Sequence, residues 1–189
     1  MRLFMALDLE EPAKSAMTEA MEELQAKHRG QKFTKPENLH YTLKFLGEAP
    51  SAQINGIIKA TELSLKNFKP FKLHAKGLGY FGSRRYAKVV WAGAHEGREE
   101  LVKIASELER NLSGIRKEER EPSLHLTICR PKGETIKLIE DIEKEKSRDF
   151  GWMEVKAIKL KKSMLDPKGA VYEDVKAFAL VFLCLIKGI

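Results

Sequence analysis

Apolar residues recur along this chain in two rhythms, one near every second position and one near every third or fourth. The run Arg2-Leu3-Phe4-Met5-Ala6-Leu7-Asp8 predicts a buried strand. Apolar residues at Ala13, Ala16, Met17, Ala20, Met21 and Leu24 then mark a helix. Pro12 suits its first turn, where a missing N–H costs nothing, and Gly30 ends the segment. Phe33 and the turn Pro36-Glu37-Asn38 lead into a strand carrying His40, which Gly47 and Pro50 stop. Ser51 is placed to cap a second helix, with Ile54, Ile57, Ile58, Thr61 and Leu65 as its stripe. Two strands follow at 71–81 and 85–94, joined by Gly82-Ser83-Arg84. Within the first, Gly77-Leu78-Gly79 lacks the remaining glycine and the helix of a dinucleotide loop. It predicts a bend or a close backbone approach instead.

A third helix carries Leu101, Ile104, Ala105, Leu108 and Leu112 on one side. The charged run 116–121 reads as a solvated loop, and Pro122 leads into a strand with His125. Ile136, Leu138, Ile139 and Ile142 predict a fourth helix, and strands at 152–165 and 170–185 flank the turn Asp166-Pro167-Lys168-Gly169. The order strand, helix, strand, helix, strand thus occurs twice. His40 and His125 are 85 positions apart, as are the strands beginning at Phe4 and Val89. The second half gains a strand at its end, so the copy is imperfect. Two related halves facing one another would bring both histidines to one cleft.

Composition narrows the classes. An apolar content of 43% with 32% charged residues is that of an ordinary soluble domain. The net charge of +7 suits a polyanionic partner but favours nucleic acid only slightly. Cys129 and Cys184 have no metal-ligand spacing and form no disulfide framework. The N-terminus has no signal pattern, and the apolar stretch 177–186 is far below the ~20 residues that span a bilayer. A cytoplasmic protein without a membrane segment is expected.

The chemistry lies in the two strands that repeat. In His40-Tyr41-Thr42 and His125-Leu126-Thr127, strand alternation puts each imidazole beside a hydroxyl on one face. One neutral imidazole can take a proton from an attacking oxygen while a protonated one gives a proton to the leaving oxygen. The hydroxyls of Thr42 and Thr127 can hold charged oxygens between the rings. A phosphodiester undergoing in-line displacement suits this set, and no acidic cluster suggests magnesium. By the same parity Lys44 shares the His40 face and could meet the substrate. Phe45 falls on the other face, as core. Arg130 also points away from the cleft in an uninterrupted strand; a bulge or the strand's end would bring it back. His28, His74 and His95 have no partner motif and read as structural or surface residues.

The two motifs, His40-Tyr41-Thr42-Leu43-Lys44-Phe45 and His125-Leu126-Thr127-Ile128-Cys129-Arg130, resemble the paired signatures of the 2H phosphoesterases. The nearest resemblance is to the RNA 2′,3′-cyclic phosphodiesterases, also called 2′-5′ RNA ligases. It extends over the opening Arg2 to Leu7, Pro36-Glu37-Asn38-Leu39, Gly77-Leu78-Gly79, Arg84-Arg85, Trp91 and 163–172, with Cys129 where a smaller residue is common. The resemblance implies one α+β domain over 1–189. Its fold would be bilobal, duplicated and pseudo-twofold, with two antiparallel sheets flanking a central cleft and helices outside. It further implies hydrolysis of a 2′,3′-cyclic phosphate on RNA to a 2′-phosphate, and reversible 2′-5′ joining of tRNA halves. No cofactor or metal is expected, and the expected state is a monomer acting on RNA ends. By the family pattern His40 is the acid and His125 the base, Thr42 and Thr127 hold the phosphate, and Arg130 and Lys44 are candidates for substrate contact. Two alternatives stay open: a 2H phosphodiesterase acting on 2′-5′ oligonucleotides or small cyclic nucleotides, and a non-catalytic RNA-end-binding module.

Overall fold

The computed structural model describes residues 1–116, 123–166 and 169–181. Most of the charged run, the centre of the expected turn at 166–169 and Cys184 lie outside these residues. Among the described residues four helices, α1 (Ala13–Lys27), α2 (Ile54–Leu65), α3 (Arg98–Leu112) and α4 (Ile136–Lys144), pack against nine strands. The strands are β1 (Arg2–Asp8), β2 (Lys32–Phe33), β3 (His40–Glu48), β4 (Phe71–Gly82), β5 (Ala87–Ala94), β6 (Leu126–Arg130), β7 (Asp149–Val155), β8 (Ala157–Asp166) and β9 (Gly169–Ala179). Every pairing among them is antiparallel.

Their spatial order is β7-β4-β5-β6-β3-β1-β8-β9, with the short β2 beside β6. The two expected sheets are therefore two wings of one curled sheet, β7-β4-β5-β6 and β3-β1-β8-β9. They join at a single residue pair, Tyr41 with Leu126. Those residues are 85 positions apart, so Tyr41 pairs with its own counterpart, and the pseudo-twofold axis passes between them. The same offset carries β1 onto β5, β3 onto β6 and β4 onto β8.

Each half lends a helix to the other wing. α1 packs on β7 and α3 on β3, while α4 covers β4 and α2 contacts β9 and α3. The helical stripes explain this, since Met17, Met21 and Leu24 of α1 and Leu101, Ile104 and Leu108 of α3 are all buried. No described helix is long and apolar enough to cross a membrane.

Two expectations fail locally. The strand expected at 152–165 is two strands on opposite wings, β7 pairing with β4 and β8 with β1, and Lys156 lies between them. Ser51 does not cap α2. It opens a short 3-10 turn, Ser51–Gln53, and Gln53 occupies the cap position without a side-chain bond. Gly77-Leu78-Gly79 is a close approach, as expected. A Cβ at Gly77 would lie 2.4 Å from the Lys146 carbonyl oxygen, and one at Gly79 would lie 2.4 Å from the Trp91 ring.

Candidate active site

Each motif strand departs from regular alternation at the residue after its threonine. Opposite β1, Ala6 faces Thr42 and Met5 faces Lys44, which leaves Leu43 as an extra residue. Opposite β5, Trp91 faces Thr127 and Val90 faces Cys129, which leaves Ile128. Leu43 and Ile128 are again 85 positions apart. A bulge inserts one residue and so reverses the parity of everything after it. The burial sequence that results is the same in both halves. His, Thr and the sixth residue reach the surface or partly so, while the other three are buried.

The bulges decide three assignments. Arg130 returns to the cleft side and is exposed. Phe45, its counterpart, does the same at 44% exposure, so the expectation that it is core is corrected. Lys44 turns inward, at 2% exposure. Its ammonium donates to the Glu109 carboxylate of α3 and, at 2.7 Å, to the Arg116 carbonyl oxygen. Strand parity without the bulge had put Lys44 on the substrate face. Its Nζ is instead held within the protein, and its counterpart Cys129 is fully buried.

His40, Thr42, His125, Thr127 and Arg130 line one cleft of about 610 Å³. The rings are held in matching ways. His40 Nδ1–H donates to the Asn38 carbonyl oxygen at 2.7 Å, and His125 Nδ1–H donates to that of Ser123 at 2.5 Å. A carbonyl only accepts, so Nδ1 carries the proton in each ring and Nε2 is the nitrogen left for proton exchange. The Thr42 and Thr127 hydroxyls have no hydrogen-bond partner among the described residues, and both are half-buried.

Ring contacts fix each imidazole further. His40 sits 5.2 Å from both Phe4 and Tyr172, edge-on to the latter. His125 is edge-on to Phe81 at 5.0 Å. Asn38, whose Nδ2 donates to the Ala170 carbonyl oxygen at 3.0 Å, ties the Tyr172 strand to the start of β3. Burial holds both histidines below their ordinary 6.5, against the opposing pull of their backbone bonds. The Arg130 guanidinium lowers both as well, which puts its charge within reach of both rings. Asp8 acts on His40 in the other direction, although Lys161 and Lys159 engage its carboxylate.

The family description "LigT like Phosphoesterase" matches residues 7–91 and again 93–172, one copy per half. The chain belongs to the LigT-like phosphoesterases. It is similar to the RNA 2′,3′-cyclic phosphodiesterase of Methanocaldococcus jannaschii, at 41% identity over 179 residues covering 93% of this chain and 99% of that protein. It is 36% identical to the RNA 2′,3′-cyclic phosphodiesterase of Archaeoglobus fulgidus, over 94% of this chain and 99% of that one. Among solved structures, TT0787 of Thermus thermophilus superposes with a TM-score of 0.78 at 29% identity, covering 95% of this chain and 98% of that one. Family membership makes this LigT-like protein an enzyme, a hydrolase of phosphoesters.

The three histidines outside the motifs do not line the LigT-like cleft. His28 bonds Asp141 of α4 at 2.9 Å. His74 is buried between Glu96 and Asp149, at 2.6 and 2.8 Å, and stacks on Trp152. His95 lies beside it on Glu96 at 2.8 Å. Burial lowers His74 but the two carboxylates outweigh it and raise it, and the Asp149 contact holds β4 to β7.

Proposed function

We propose that this phosphoesterase opens the 2′,3′-cyclic phosphate at the end of an RNA, without a metal ion, and leaves a 2′-phosphate. One observation carries the reading. Two His-x-Thr pairs related by a twofold axis open on one cleft, each ring oriented by its own backbone and each hydroxyl unengaged. The names of the relatives and the reach of Arg130 to both rings support it.

In this mechanism neutral His125 takes a proton from water through Nε2 as the water attacks phosphorus. Protonated His40 gives its Nε2 proton to the departing 3′ oxygen on the far side. The Thr42 and Thr127 hydroxyls and the Arg130 guanidinium hold the non-bridging oxygens, where negative charge accumulates. Phe45 and Tyr172, on the His40 side of the cleft, offer an aromatic surface to the nucleoside whose 3′ oxygen leaves. The two imidazoles complete the proton inventory, so a metal has no step to perform. With an RNA 5′-hydroxyl in place of water, the same steps in the same direction join ends such as tRNA halves in 2′-5′ linkage.

The test incubates the protein with an oligonucleotide ending in a 2′,3′-cyclic phosphate, in EDTA, and identifies the new end group. A 2′-phosphate is expected. A 3′-phosphate, or activity abolished by chelation and restored by a divalent ion, would refute the mechanism.

A further inference from the structure

Beside the cleft lies a second pocket, also of about 610 Å³, and His125 lines both. Phe81 and Ser123 are shared as well. From His125 an aromatic path leads inward, with Phe81 edge-on to the imidazole at 5.0 Å and Trp91 5.5 Å from Phe81. Arg98 and Lys146 also line the pocket. Both are exposed, and neither side chain has a hydrogen bond or ion pair among the described residues. The Trp91 indole N–H is buried with no partner among the described residues.

Size decides what this space is for. The base side of an in-line displacement admits the nucleophile, and a water molecule needs only about 30 Å³. A pocket about twenty times larger, with aromatic walls and two uncommitted cations, has the lining of a nucleoside site. We propose that the pocket beside His125 is an acceptor subsite, which binds a nucleoside with a free 5′-hydroxyl and sets Arg98 and Lys146 against the phosphate that follows it. This inference rests on the cyclic-phosphodiesterase reading and deepens it. The acceptor O5′ bonds to phosphorus as the P–O3′ bond breaks. The O5′ proton passes to His125 Nε2, and the His40 Nε2 proton passes to O3′. The product is a 2′-5′ phosphodiester with a free 3′-hydroxyl on the donor, and nothing is consumed beyond the two strands.

The experiment gives the intact chain a labelled oligonucleotide donor ending in a 2′,3′-cyclic phosphate, with rising concentrations of a 5′-hydroxyl dinucleoside monophosphate. The expected result is a transfer product, with an RNase-resistant junction, that saturates with acceptor. The double variant Arg98→Glu/Lys146→Glu should raise the half-saturating acceptor concentration by at least about tenfold, leaving hydrolysis of the donor within about twofold. Ala94→Phe, which adds bulk to a pocket wall, should suppress transfer without touching hydrolysis; its folding is checked by its melting curve. Hydrolysis without transfer at any acceptor concentration overturns the proposal alone. So does a charge-reversed variant that loses activity on the oligonucleotide but keeps it on a mononucleoside 2′,3′-cyclic phosphate, because the pocket would then hold the donor strand. If the unaltered chain fails to cleave the donor, both readings fall.

Discussion

The two halves of the cleft share a backbone plan and differ in what they place on it. Each has a histidine tied to the carbonyl two residues before it, a threonine, and a bulge that turns the sixth residue outward. On one side that sixth residue is Phe45, beside a histidine enclosed by Phe4 and Tyr172. On the other it is Arg130, beside a histidine that borders a second pocket. In the proposed mechanism the shared backbone supplies the proton carriers, and the side chains added to it divide the labour. Aromatic rings border both histidines, and cationic charge and open volume gather near the second.

Removing one ring at a time tests that division most severely. His40→Ala and His125→Ala should each lower kcat by about 10²- to 10⁴-fold, measured on a cyclic-phosphate oligonucleotide. Their residual pH profiles should differ. Activity that needs a protonated His40 is lost as pH rises, and activity that needs a neutral His125 is lost as pH falls. His40→Ala therefore keeps only the acid limb and His125→Ala only the alkaline limb. In the unaltered enzyme the kcat/KM bell centres on the mean of the two values, and since both lie below 6.5, so should its maximum. Identical limbs in the two variants would show the rings to be interchangeable.

The next contrast is Arg130 against Phe45. Arg130→Ala should reduce kcat/KM by about 10- to 100-fold through the lost phosphate contact. It should also shift the bell to higher pH, because a positive charge that depresses both histidines has gone. Phe45→Ala should raise KM by about five- to tenfold and leave the bell in place. A shift with Phe45→Ala, or none with Arg130→Ala, would reverse the roles. The smallest effect on turnover belongs to the buried counterparts. Lys44→Met should lower stability by about 1–3 kcal/mol in urea titrations, with kcat within about twofold. A large loss of kcat in folded Lys44→Met would return that residue to the substrate.

Most strands, all four helices and the 85-residue repeat are readable from apolar spacing, because their faces are buried over several turns or pleats. The bulges are not, since a single inserted residue changes parity without changing residue type. One trace was present: Ile128 and Cys129 are adjacent and both apolar, which regular alternation does not produce in a half-buried strand. The break at Lys156 left a similar trace. Met153 and Val155 are buried on odd positions, Ile158 and Leu160 on even ones. Lys44 was misplaced for the same reason, and its acceptors, Glu109 and the Arg116 carbonyl, lie 65 and 72 positions away, where no local pattern reaches. The pocket beside His125 had no signature at all, because it arises where β4, β5 and the end of α4 meet.

The Tyr41–Leu126 pair has a stereochemical consequence. A rotation about that axis exchanges the two imidazoles, so the shared backbone alone cannot say which of them attends the departing oxygen. An unsymmetrical ester is turned one way in the cleft only by the positions where the two repeats have diverged.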